Sequence, residues 1–140
     1  HTSCLSDWSS DVCSSDLVAL SIFGRISGFE KDRSFYPTVL IVIGFLYVLF
    51  AALDGRGSVV LIETMFALIF SAIALIGYYK GCRIVAFGIA AHGVFDYVHQ
   101  FFIEDHGVPI WWPGFCAVID ILIGVYVWFV ACRRRTTETA

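Results

Sequence analysis

Charge is scarce in this chain. Only 15% of its 140 residues are Asp, Glu, Lys or Arg, where a soluble domain carries about a quarter. With 59% hydrophobic residues, that shortage argues against an ordinary soluble globular domain. It also excludes a disordered chain, a collagen-like repeat and a basic nucleic-acid binder. No C-x-x-C pair occurs, and the spacing of the cysteines suggests neither a disulfide framework nor a zinc finger. A separate nucleophile motif is missing, and residues 1–17 lack the basic-then-apolar pattern of a secretory signal.

The first seventeen residues, HTSCLSDWSSDVCSSDL, have no helical or strand period, and seven of them are Ser or Thr. Eleven consecutive residues, DWSSDVCSSDL from Asp7 to Leu17, match an in-frame translation of a common short-read sequencing adapter. Residues 1–17 are therefore expected to be non-native, with native sequence beginning near Val18. The block holds Asp7, Asp11 and Asp16 and no basic residue, so without it the formal net charge moves from −3 to zero. Cys82, Cys116 and Cys132 are the cysteines that remain.

What is present is apolar sequence in long runs. A membrane helix needs roughly 20 mostly apolar residues, and four stretches meet this: 35–53, 58–79, 84–103 and 114–132. They are too long for strands and lack period-two alternation. Backbone groups in lipid must be satisfied internally, so the fold class expected is all-α, a four-helix transmembrane bundle over 35–132. Residues 18–34 then form a cytoplasmic or interfacial segment and 133–140 a basic cytoplasmic tail. Arg25, Lys31, Arg33, Lys80, Arg83, Arg133, Arg134 and Arg135 fall on one side of the four spans, and Arg56 alone on the other. The positive-inside rule then puts both termini in the cytoplasm, and the localisation expected is the bacterial inner membrane. Trp111 and Trp112 are expected to anchor the outer interface.

The few ionisable groups inside the runs carry the functional signal. At 1.5 Å per residue, Glu63, Asp96 and Asp120 lie roughly 9–10 Å below the outer surface, His99 roughly 6 Å and His92 roughly 16 Å. Tyr47 reaches the same level as the three acids. Carboxylates from three helices thus converge with a histidine, and no Lys or Arg in the spans pairs them. Such groups are costly in lipid and face the bundle interior.

The spacings of His92, Asp96 and His99 put all three on one helix face. The Asp96–His99 step repeats the i, i+3 geometry of the Glu-x-x-His element in carboxylate metal bundles. Glu63, Asp96, His99 and Asp120 are the expected ligands of one divalent metal ion, zinc or iron. His92 and Tyr47 are expected to support the site or relay protons, and Gly93 allows close helix approach. Glu104, Asp105 and His106 read as a solvated loop; Phe45, Phe50, Phe66 and Phe70 read as lipid-facing or packing residues.

Three functions remain open: a metal-dependent membrane hydrolase, a proton- or cation-coupled transport component, and a structural or accessory subunit in which the polar groups hold the helices together. The expected partner is the lipid bilayer, with no nucleic acid, and a homo-oligomer is an open alternative. The stretch from Arg33 to Ile43, the element His92-Gly-Val-Phe-Asp96, and the segment from Gly107 to Cys116 with Asp120 resemble a group of small bacterial four-span membrane proteins of unassigned function. The resemblance covers roughly residues 25 to 132; it implies this architecture and no activity.

Overall fold

The computed structural model describes residues 32–104 and 106–138, leaving out the side chains of Arg135 and Glu138. The adapter-like block, Arg25, Lys31, Asp105 and the last two residues lie outside this set. All regular structure among the described residues is helical. Helix α1 is Phe35–Asp54, α2 is Gly57–Lys80, α3 is Cys82–His99 and α4 is Trp112–Tyr126. A π-helical segment, Val127–Ala131, then leads into a short α5, Cys132–Glu138.

Local chemistry explains most of these boundaries. Pro37 sits in the first turn of α1 and Pro113 in that of α4, where a missing N–H costs no hydrogen bond. The α2–α3 turn pivots on Gly81, whose φ of 151° suits a residue without Cβ. The Gly81 N–H donates to the Gly77 carbonyl at 2.9 Å, closing α2. At the other end of the bundle Arg56 Nε pairs with Asp54 at 2.6 Å, and its guanidinium also donates to the Glu104 carbonyl.

Among the described residues, three helical stretches are long and apolar enough to cross a membrane: Phe35–Asp54, Gly57–Lys80 and Trp112–Arg134. The expected third span, 84–103, is not among them. Helix α3 has 18 residues and stops at His99. A turn follows, in which the N–H groups of Phe101, Phe102 and Ile103 donate to the carbonyls of Val98 and His99. Their apolar side chains make the sequence look like a continuing helix, which the chain does not form. Helix α3 gives its buried face to Val85, Ala86, Ile89, His92, Asp96 and His99.

The distribution of polarity is that of a lipid-embedded bundle. Large apolar side chains point outward on every long helix, including Leu53, Leu61, Met65, Phe87 and Leu122. Glu63, His92, Asp96, His99 and Asp120 are buried instead. In water this arrangement would leave an apolar surface far beyond what a soluble monomer tolerates.

Close packing of α3 on α4 sets the site. A Cβ on Gly93 would lie 2.9 Å from both the Ala117 carbonyl oxygen and the Asp120 Cβ. Only glycine lets the two backbones approach so closely, and that approach carries Asp120 to its neighbour on α3. At the start of α3, Cys82 forms a disulfide with Cys132, the first residue of α5, across 50 residues and with Cα atoms 5.6 Å apart. This corrects the expectation that the cysteine spacing carries no disulfide. The partners meet only through tertiary packing, so no local spacing announces them. Cys116, on α4, is a buried thiol.

Candidate metal centre

Two polar groupings occupy the core, and both are built on α3. The i, i+4 step from His92 to Asp96 and the i, i+3 step to His99 stack the three side chains along one helix face.

The deeper grouping is His92, Asp96 and Asp120, which present ligand atoms within 4.8 Å of one another. His92 Nδ1 donates to Asp120 Oδ2 at 2.8 Å and stands 3.4 Å from Asp96 Oδ2. The rings of Phe70 and His92 meet edge to face, with centroids 4.7 Å apart. Phe95 lies beside the imidazole at 6.1 Å, so apolar rings wall the grouping. Asp96 is 0% exposed, yet neither of its carboxylate oxygens has a hydrogen-bond partner. Buried polar groups are normally satisfied, because desolvation otherwise goes uncompensated.

The second grouping pairs His99 Nε2 with Glu63 Oε1 at 2.6 Å, joining α3 to α2. Tyr47 of α1 packs on His99 with ring centroids 4.7 Å apart. The Tyr47 hydroxyl and Glu63 Oε2 are buried without hydrogen-bond partners.

The structure divides the expected ligands differently from the sequence reading. Glu63, Asp96, His99 and Asp120 do not gather as one cluster among the described residues. Asp96 and Asp120 come together with His92, which the sequence reading left in a supporting role, while Glu63 and His99 pair with each other. The signal for His92 was in the sequence: Gly93 beside it marks the contact with α4, where Asp120 lies. Trp111 is 40% exposed and Trp112 is buried. The Trp112 ring meets Phe50 at 5.2 Å, and its Nε1 lacks a hydrogen-bond partner. Glu104 and His106 are exposed in the loop between α3 and α4.

Charge balance limits what the core can hold. Among the described residues, three buried carboxylates face two imidazoles, so negative charge is left over there even with both rings protonated. A proton or a bound cation is needed to offset it, since an uncompensated buried charge is prohibitive. One imidazole nitrogen and two carboxylate oxygens make a donor set suited to zinc or ferrous iron. Comparison with family models, curated proteins and solved structures returns no match.

Proposed function

We propose that this chain is an integral membrane protein whose core holds one divalent metal ion between His92, Asp96 and Asp120, and that it works as a metal-dependent membrane hydrolase. The observation that carries the reading is Asp96. Its carboxylate is fully buried, has neither oxygen hydrogen-bonded, and lies beside a second carboxylate and an imidazole. A structural polar contact would satisfy Asp96, whereas a cation site leaves its oxygens available.

Three protein ligands leave a fourth position open to water, the pattern of catalytic rather than structural zinc sites. The ion would supply a water acidified enough to attack at neutral pH. The chain's own part is to fix the ligands. The hydrogen bond from His92 to Asp120 holds two of them together before an ion arrives, and Phe70 orients the imidazole. The apolar helix surfaces suggest a substrate with lipid-like character. The proposed setting is the bacterial inner membrane, with both termini cytoplasmic and the polar core nearer the outer face.

Metal-loaded and chelator-stripped protein, purified in detergent, should be compared on a panel of lipid-like ester, amide and phosphoester substrates. Hydrolysis that requires metal and is lost in Asp96→Asn supports the reading. Metal that binds while no substrate is hydrolysed would leave a metalloprotein and remove the hydrolase. Cation transport is the second reading, favoured by the unpartnered Glu63 oxygen in the core. Cation flux into liposomes that is abolished by Glu63→Gln would support it.

A further inference from the structure

A cavity of about 420 Å³ lies over the end of α3, and His99 forms part of its lining. Glu104, His106, Pro109, Ile110 and Pro113 also line it. Ile110, Glu104 and His106 are exposed, so the cavity is rimmed by solvent-facing side chains. His99 is therefore shared. It lines this cavity, and its Nε2 is bonded to Glu63 in the core.

Ligand-type side chains continue inward from that point. Asp96 is three residues deeper on the same helix face and His92 four residues deeper again, steps of roughly 4.5 and 6 Å along the axis. Glu63 is 1% exposed and keeps Oε2 without a hydrogen-bond partner. A hydrated cation entering an apolar bundle must exchange its waters for protein ligands in steps, because dehydration all at once is too costly. Carboxylates and imidazoles at such intervals provide those steps.

We propose that Glu63 and His99 form a second, transient site for a divalent cation, at the foot of the cavity, through which the ion passes to His92, Asp96 and Asp120. The inference rests on the metal reading given above. The site is distinct from the resting one: Glu63 and His99 take the ion from the cavity side and release it inward. A residue on the route lowers the barrier in both directions, so its loss slows entry and exit together. Loss of a resting ligand instead weakens affinity.

The test is stopped-flow uptake of Co2+ by the purified chain, read by the visible absorption of the bound ion. Two variants are used: Glu63→Gln, and the exposed pair Glu104→Gln with His106→Gln, which leaves the core untouched. Both are expected to slow association and dissociation by about tenfold, the effect of roughly 1.4 kcal/mol on a barrier, with Kd within about threefold. Unchanged rates in both variants would overturn the route. A raised Kd with an unchanged association rate in Glu63→Gln would make Glu63 a resting ligand and overturn it too. A wild-type chain that takes up no Co2+ removes the metal reading and the route with it.

Access is read separately in metal-free protein. A charged, membrane-impermeant thiol reagent should label His99→Cys above the wild-type background. Absence of labelling would overturn the route while leaving the three-residue metal site standing.

Discussion

Both oxygens of Asp96 are buried without hydrogen bonds, although His92 Nδ1 stands only 3.4 Å from one of them. An unsatisfied buried polar group costs about 1–3 kcal/mol, and more when charged. Asp96 therefore weakens the metal-free fold, which is expected of a residue kept for a ligand. Asp96→Asn removes the charge with little change in shape. In the presence of chelator it should raise stability by about 1 kcal/mol, measured by thermal unfolding in detergent, while metal binding is lost.

Asp120→Ala should do the opposite in chelator. It strips His92 of its hydrogen-bond acceptor at 2.8 Å, and breaking a buried pair costs about 3–5 kcal/mol. A destabilised Asp96→Asn protein would make Asp96 a packing residue.

Among the elements, the contact of α3 with α4 decides whether the site exists. Gly93→Ala would push its new Cβ against the Ala117 carbonyl oxygen and Asp120 Cβ, each 2.9 Å away. Neither atom can move without the α4 backbone. The expected cost is about 1–3 kcal/mol from overpacking, with weaker metal binding as Asp120 shifts from His92. Gly114→Ala is the control, since nothing lies within 4 Å of its added Cβ, and its stability should stay within about 0.5 kcal/mol of wild type. Equal losses in the two variants would deny Gly93 its special place.

The same contact shows what the sequence can disclose. Helices α1, α2 and α4 are legible because long apolar runs broken by at most one acid have few other folds. Depth along each axis is also legible, since every residue adds a fixed rise. That is why Glu63, Asp96, His99 and Asp120 could be placed in one layer. Rotation about each axis, and the side on which each neighbour packs, is set by tertiary contacts. Depth and helix-face spacing therefore group Glu63, Asp96, His99 and Asp120, while rotation pairs Asp120 with His92 and Glu63 with His99. The end of α3 at His99 was hidden because Phe101, Phe102 and Ile103 have the composition of a span whatever their backbone does.

Across the whole molecule, the disulfide and the charge distribution make a joint prediction. Cys82 lies between Lys80 and Arg83, and Cys132 directly precedes Arg133. The bridge is therefore at the basic end of the bundle, which the positive-inside rule assigns to the cytoplasm, where thiols are kept reduced. With that orientation, alkylation in intact cells should trap both cysteines as thiols, and the bridge should form once the purified protein meets air. Formation of the bridge should raise stability by about 2–4 kcal/mol, seen as a higher unfolding temperature without reductant. A disulfide already formed in cells would place this end in an oxidising compartment and reverse the orientation. A C-terminal alkaline phosphatase fusion gives the same answer independently, inactive for a cytoplasmic terminus and active for an external one.

X-ray absorption spectroscopy at the metal edge of the purified, metal-loaded protein reads the ligand set of His92, Asp96 and Asp120. One imidazole and two carboxylates should appear as nitrogen and oxygen scatterers at about 2.0–2.2 Å, with the outer-ring signal of a single histidine. Asp96→Asn should abolish the spectrum of the bound ion. Two imidazoles bound to the ion would mean that His99 shares it with His92, and the absence of any bound metal would mean that Asp96 is buried for some other purpose; either result rules out the three-residue site.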